Sequence, residues 1–203
     1  MRIIFMRHGE SIDDTINCYG GAADFALSDL GRREAKEAAQ TFKDVVVDKI
    51  YSSPLKRAKH TAEEVDAIKQ CGVTVVENFK ERNSFGVLSG CNKETCQEIY
   101  GYLLADIKGK PGDYYSGKVL LGAEPHFDFD QRVEEAVATV INDAIQKEYQ
   151  TIVVVTHGNV TRSIYQNILN FEKKIELDHV ARTVVGYHDE AFTLVSKEGV
   201  YEY

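Results

Sequence analysis

Arg7 and His8 close the apolar run Ile3-Ile4-Phe5-Met6 and are followed at once by Gly9 and Glu10. A guanidinium and an imidazole thus stand where a buried strand breaks into a turn, the place where open α/β sheets build their sites. Imidazole is nucleophilic near neutral pH and can carry a phosphoryl group on nitrogen, while an adjacent arginine offers planar donors to phosphate oxygens. Alone, the pair fits a strand-capping histidine beside a solvated arginine equally well. A second run repeats the design: Ile152-Val153-Val154-Val155-Thr156 ends in His157-Gly158-Asn159. Two strand ends that each present a histidine before a glycine can face one another across a switch point of the sheet. A protonated His157 would donate to a phosphate oxygen, assisted by the positive end of the helix that starts near Asn159.

A third run, Ile50-Tyr51-Ser52-Ser53-Pro54-Leu55-Lys56-Arg57, puts Arg57 in the first turn of a helix. The N-terminal end of a helix is already positive, so an arginine there calls for a compensating anion, and a bound phosphate would serve. Lys56 and Lys59 turn away from Arg57 on a helix and are expected to face solvent. An alkoxide leaving a phosphate monoester needs a proton. Glu81 follows the third strand and is the candidate donor, because chain order brings it to the same sheet edge as His8, Arg57 and His157.

The elements that must position these groups follow from pattern. Strands are expected at Ile3–Met6, near Asp48–Tyr51, at Val73–Val76 and at Ile152–Val155. Helices are expected at Leu30–Val45 with Ser28 as N-cap, at Leu55–Gln70 between Pro54 and Gly72, at Asn92–Gly109, at Phe129–Glu148 and at Asn159–Leu169. Thr183–His188 and Phe192–Ser196 flank Asp189-Glu190-Ala191 as an antiparallel edge hairpin. The alternation specifies an α/β class: a three-layer α/β/α sandwich with a mostly parallel sheet, an antiparallel edge strand and a covering insertion. Residues 1–203 form one domain, with 78–127 as the insertion over the active site.

Composition sets limits. A chain of 203 residues with 43% hydrophobic residues suits one sizeable soluble core. The net charge of −8 argues against general nucleic-acid binding, which needs a basic face. No apolar run reaches membrane-spanning length, and the N-terminus enters a strand without a basic leader, so no membrane partner and a cytoplasmic location are expected. Cys18, Cys71, Cys91 and Cys96 show no C-x-x-C pair and no histidines lie at H-x-x-x-H spacing, so no metal is expected.

The ordered motifs Arg7-His8-Gly9-Glu10-Ser11, Leu27-Ser28-Asp29-Leu30-Gly31-Arg32, Ser52-Ser53-Pro54-Leu55-Lys56-Arg57-Ala58 and Thr156-His157-Gly158-Asn159 span nearly the whole chain. With them the chain resembles the histidine phosphatase superfamily, in the branch that contains cofactor-dependent phosphoglycerate mutases and many small phosphatases. The resemblance implies that His8 accepts the phosphoryl group, that Arg7, Arg57 and His157 form the phosphate pocket, and that Glu81 is the general acid and then the general base. It places Ser11, Asp14, Lys93, Gly158 and Asn159 at the substrate. It implies a small phosphorylated substrate, no cofactor and no metal, the cations taking the electrostatic part.

There are departures. Many relatives carry asparagine where this chain has Asp14, and a carboxylate there repels phosphate unless it points away or meets a cationic substrate group. The loop after Glu81-Arg82 has one more residue before Phe85-Gly86 than the mutases have. Lys93 resembles a mutase position, whereas Ile107 to Asp128 holds Lys108, Lys110 and Lys118 but none of the arginines with which mutases clamp a second phosphate. The reading is therefore a phosphomonoesterase acting through a covalent phosphohistidine. A phosphoglycerate mutase is the first alternative and a non-catalytic binding protein on the same fold the second. The rings of Phe85, Tyr100, Tyr102, Tyr114, Tyr115, His126 and Phe127 either pack the insertion or line a substrate pocket. Oligomeric state is left open, a homodimer included.

Overall fold

The computed structural model describes residues 1–107 and 120–203. Tyr114, Tyr115, Lys108, Lys110 and Lys118 lie outside the described residues. The sheet is built from β1 (Arg2–Arg7), β2 (Lys49–Ser52), β3 (Val73–Val75), β4 (Thr151–Thr156), β5 (Ile175–His188) and β6 (Ala191–Glu202), in the order β3-β2-β4-β1-β5-β6. The first four run parallel, while β5 is antiparallel to β1 and β6 to β5. The expected hairpin is present but longer than its apolar segments, since both strands run on through half-exposed alternating residues.

Strand alternation makes two cores. Ile3, Phe5, Ile152 and Val154 face one way and pack on α5 (His126–Gln146) and α6 (Gly158–Ser163) through Phe129, Val133, Val137, Val140 and Val160. Ile4, Met6, Val153 and Val155 face the other way onto α2 (Asp29–Gln40) and α3 (Lys56–Lys69), against Ala38, Ala39, Phe42, Ala58, Ala62 and Val65. Because both faces are covered, the parallel strands read as continuous apolar runs, and burying each such side chain is worth roughly 1.5–3 kcal/mol.

Ser28 caps α2, its side chain accepting the Gly31 N–H at 3.0 Å. The expected Asn159–Leu169 helix is α-helical only over Gly158–Ser163 and widens to a π-helical segment, Ile164–Ile168. A single turn, α1 (Ile12–Thr15), and the helix α4 (Lys93–Ile107), bent at Tyr100, complete the α-helices among the described residues. Leu88, Cys96, Leu120 and Ala123 form a small separate core with Tyr19 and Phe85. Backbone bonds from Tyr19 to Cys91, from Gly90 to Tyr19 and from Lys93 to Asn17 fasten it to the loop that follows β1. No helix among the described residues is long and apolar enough to cross a membrane.

Candidate active site

His8 sits one residue beyond β1 with its backbone held on both sides. Its N–H donates to Thr156 O at 3.0 Å and its carbonyl accepts the Val180 N–H at 3.3 Å. Val180 belongs to a bulge in β5 and has φ +51°, unusual for a β-branched residue and worth about 1–3 kcal/mol of local strain. The ring is equally defined. Nδ1 lies 2.7 Å from Gly9 O, a group that only accepts, so Nδ1 carries the proton. Nε2 is then the lone pair, and the Arg57 Nε–H points at it from 3.2 Å. Burial, reinforced by the charges of Arg57 and Arg7, pushes His8 well below its ordinary pKa and keeps it neutral.

Arg57 is buried at the start of α3 and all three nitrogens of its guanidinium are engaged. Besides His8, it donates to Ala23 O at 2.7 Å and Gly21 O at 2.9 Å. Asp24 accepts the Lys56 N–H at 2.7 Å, so a carboxylate from the chain itself also stands at the positive end of this helix. Lys56 and Lys59 face solvent as expected.

His157 is fully buried with its ring centroid 5.0 Å from that of His8. Ser53 Oγ accepts the Leu55 N–H at 3.2 Å and lies 2.7 Å from His157 Nε2, an arrangement satisfied when the hydroxyl donates to Nε2. With the hydroxyl as donor Nδ1 carries the proton, and it is buried and without a hydrogen-bond partner among the described residues. Burial and then the charge of Arg57 push His157 well below its ordinary pKa. The neutral tautomer already presents a donor, so protonation of His157 is not required.

Arg7 anchors Nη1 on Leu177 O at 2.5 Å and leaves Nε buried and unpartnered. Gly158 brings the remaining groups together. A Cβ on it would lie 3.3 Å from Arg162 Nη1, 3.8 Å from Arg7 Nε and 4.0 Å from Glu81 Oε2. Glu81 accepts the Arg82 N–H on Oε1 at 2.8 Å and the Asn159 N–H on Oε2 at 3.2 Å. The first-turn N–H of α6 is thus directed at Glu81. Arg162, absent from the sequence-based set, contacts Asn159 Oδ1 at 3.4 Å and Ile175 O at 3.2 Å. Its one signal was the spacing of four residues from Gly158, one helical turn.

Ser11 and Asp14 form a local cap. Ser11 N and Oγ donate to Asp14 Oδ2 at 3.1 and 3.2 Å, and His179 Nε2 lies 3.6 Å from the same oxygen. Burial alone would raise the Asp14 pKa, but the close approach of His179 and the hydrogen bond from the Ser11 N–H outweigh it and hold the carboxyl well below the usual range. Lys93 is exposed at the start of α4, its ammonium 5.9 Å from the Tyr19 ring centroid. Of the candidate pocket rings, Phe85 packs on Tyr19 at 4.6 Å, His126 meets Arg82, and Tyr100 and Phe127 are exposed. No cluster of three or more His, Cys, Asp or Glu suited to a metal occurs among the described residues.

A mixed sheet flanked by helices, with paired histidines and arginines gathered at the carboxyl ends of its parallel strands, has the α/β architecture of the phosphoglycerate mutase-like proteins. The chain belongs to the histidine phosphatase superfamily (branch 1), whose family model matches residues 3–198. It is 25% identical to a 2,3-bisphosphoglycerate-dependent phosphoglycerate mutase of Bifidobacterium longum (strain DJO10A), over 98% of this chain and 91% of the relative. Its fold matches the alpha-ribazole phosphatase of Shigella flexneri with a TM-score of 0.81 at 21% identity, over 97% and 96% of the two chains. It matches a phosphoglycerate mutase of Bacillus anthracis str. Sterne with a TM-score of 0.83 at 20% identity, over 97% and 92%.

Proposed function

We propose that the protein is a phosphomonoesterase that hydrolyses a small phosphorylated metabolite through a phosphohistidine on His8, with residues 78–127 covering the site. The observation that carries this is the His8 ring: with Nδ1–H held by Gly9 O, the Nε2 pair, which accepts the Arg57 Nε–H, is the one that can bond to phosphorus. Nε2 attacks in line, the P–O bond to the alcohol breaks, and Glu81 protonates the departing oxygen. Water then attacks phosphorus and gives a proton to Glu81, and the N–P bond breaks with its electron pair returning to Nε2. The Arg57 Nε–H, now resting on that lone pair, moves to a phosphate oxygen, where the unpartnered Arg7 Nε and His157 Nδ1 supply two further donors. Cations and dipoles do the neutralising, so the scheme uses neither metal nor cofactor. Ser11, Gly158 and Asn159 border the bound phosphate.

The second reading, a mutase, is favoured by the relatives of that name and by Lys93 at the start of α4. Against it stands the absence of any arginine between Ile107 and Asp128 to hold a second phosphate. A screen of phosphate esters in EDTA, with interconversion of 3- and 2-phosphoglycerate followed in parallel, separates the two. Phosphate release that exceeds interconversion is expected. Faster interconversion than release would replace the phosphatase with the mutase, and binding with neither reaction would favour the non-catalytic protein.

A further inference from the structure

We infer that Arg132 and Glu124 form a clamp that positions the Glu81 carboxylate, so that the pair controls protonation of the leaving group and leaves capture of the phosphate to other residues. This rests on Glu81 being the general acid. Glu81 lies in neither helix nor strand, between the short 3-10 turns Glu77–Phe79 and Gly86–Leu88, where no ladder holds the backbone. Side chains hold it instead. Arg132, two turns into α5, donates Nη1 to the carbonyls of Asn78 at 2.7 Å and Lys80 at 2.8 Å, and Nη2 to that of Glu81 at 3.3 Å. The carbonyl between them, Phe79 O, accepts Thr156 Oγ1 at 3.0 Å from the end of β4. Four consecutive carbonyls leading to the acid are therefore fixed by two side chains from rigid elements.

Glu124 orients the arginine. Its Oε1 accepts Arg132 Nε at 2.6 Å and its Oε2 accepts Nη2 at 2.9 Å, a two-point grip that leaves all five guanidinium N–H groups engaged. The two side chains are only 11% and 18% exposed, and the guanidinium stacks 4.8 Å over the Phe129 ring. Glu124 also secures the far side of Glu81. Its Oε2 accepts the Asn83 N–H at 3.2 Å, its N–H donates to Asn83 O at 2.8 Å, and its carbonyl accepts Arg82 Nε and Nη2 at 3.1 and 2.9 Å. None of the bonds made by Arg132 reaches Arg7, His8, Arg57 or His157. The clamp is a positioning device, and what it positions is the proton donor.

The test compares two esters that differ in their need for that proton. Phenyl phosphate leaves as a basic phenoxide and 2,4-dinitrophenyl phosphate as a weakly basic one, and kcat/KM reports only the step in which the P–O bond breaks. Arg132→Gln is expected to lower kcat/KM on phenyl phosphate by about 10²-fold, the scale of general-acid catalysis, and on the dinitrophenyl ester by less than about threefold. Glu81→Gln, run alongside, should show the same selectivity. Equal losses on both esters for Arg132→Gln, with Glu81→Gln still selective, would overturn the clamp while leaving Glu81 as the acid. Loss of selectivity in Glu81→Gln itself would overturn the reading on which the clamp rests. If Arg132→Gln does not fold, Arg132→Lys and Glu124→Gln keep more of the buried pair and carry the same comparison, with thermal melts confirming a native fold.

Discussion

At the residue scale, protonation states follow from which neighbours can only accept and which can also donate. Gly9 O puts the proton of His8 on Nδ1, and the Ser53 hydroxyl, whose one acceptor among the described residues is His157 Nε2, puts that of His157 on Nδ1 as well. One ring is thereby a nucleophile and the other a donor, although both are neutral. The donors that converge on the phosphate are each expected to matter: Arg7→Met should lower kcat by about 10²–10³-fold, measured on any ester that the screen identifies. Asp14 makes a finer prediction. Its carboxylate is tied to Ser11 and lies beside His179, but it still acts on the charge of Arg7 and on the His8 ring. Asp14→Asn should lower KM for a simple anionic ester by roughly two- to fivefold, since a half-exposed charge contributes ~0.2–1 kcal/mol, and the change should shrink with salt. A rise in KM would instead show that Asp14 receives a cationic group of the substrate.

At the element scale, the catalytic turn after β1 is set by direct contact between two glycines. A Cβ on Gly9 would lie 2.5 Å from Gly31 O, and one on Gly31 would lie 2.0 Å from Glu10 O. The start of α2 therefore docks against the Arg7-His8-Gly9-Glu10 turn with no room for a side chain, and Ser28 Oγ links the two by donating to Glu10 Oε1 at 2.5 Å. Helix propensity alone makes Gly31→Ala stabilising by roughly 0.5–1 kcal/mol. The contact reverses the sign: Gly31→Ala is expected to destabilise by about 1–3 kcal/mol, as overpacking does, and to lower kcat as the turn shifts. Thermal melting decides between the two, and an increase in Tm would show that α2 does not bear on the turn. The bulge at Val180 serves the same purpose from the other side, placing an N–H on the His8 carbonyl at the cost of a left-handed residue.

At the scale of the whole molecule, burying His8 and His157 neutral couples the site to stability. Both have folded pKa values below the unfolded value of about 6.5, so above that pH neither state binds a proton and the pair is neutral in its effect. As pH falls below about 6.5 the unfolded chain takes up protons that the folded chain refuses, and stability is lost by up to about 1.4 kcal/mol per pH unit for each histidine. Urea unfolding between pH 8 and 5 should show this slope, and His8→Gln and His157→Gln should each remove part of it. An unchanged slope in both would mean that the two rings titrate alike in the folded and the unfolded chain. The strands, the crossover helices and the four groups His8, Arg57, Glu81 and His157 were legible in the chain because apolar periodicity and the abrupt ends of apolar runs are local signals. The extent of β5 and β6 was not, because half-exposed alternation with charged residues resembles loop. What the sequence by itself determined was the sheet, its order of elements and the residue types delivered to its carboxyl edge. Only the tertiary structure decided that Asp24 and loop carbonyls engage Arg57 and the start of its helix, that Arg162 joins the site, that both histidines carry their proton on Nδ1, and that Arg132 and Glu124 hold the loop of Glu81. Each of these is a contact between residues far apart in the chain, made by side chains whose partners come into range only when the packed helices and sheet bring them together.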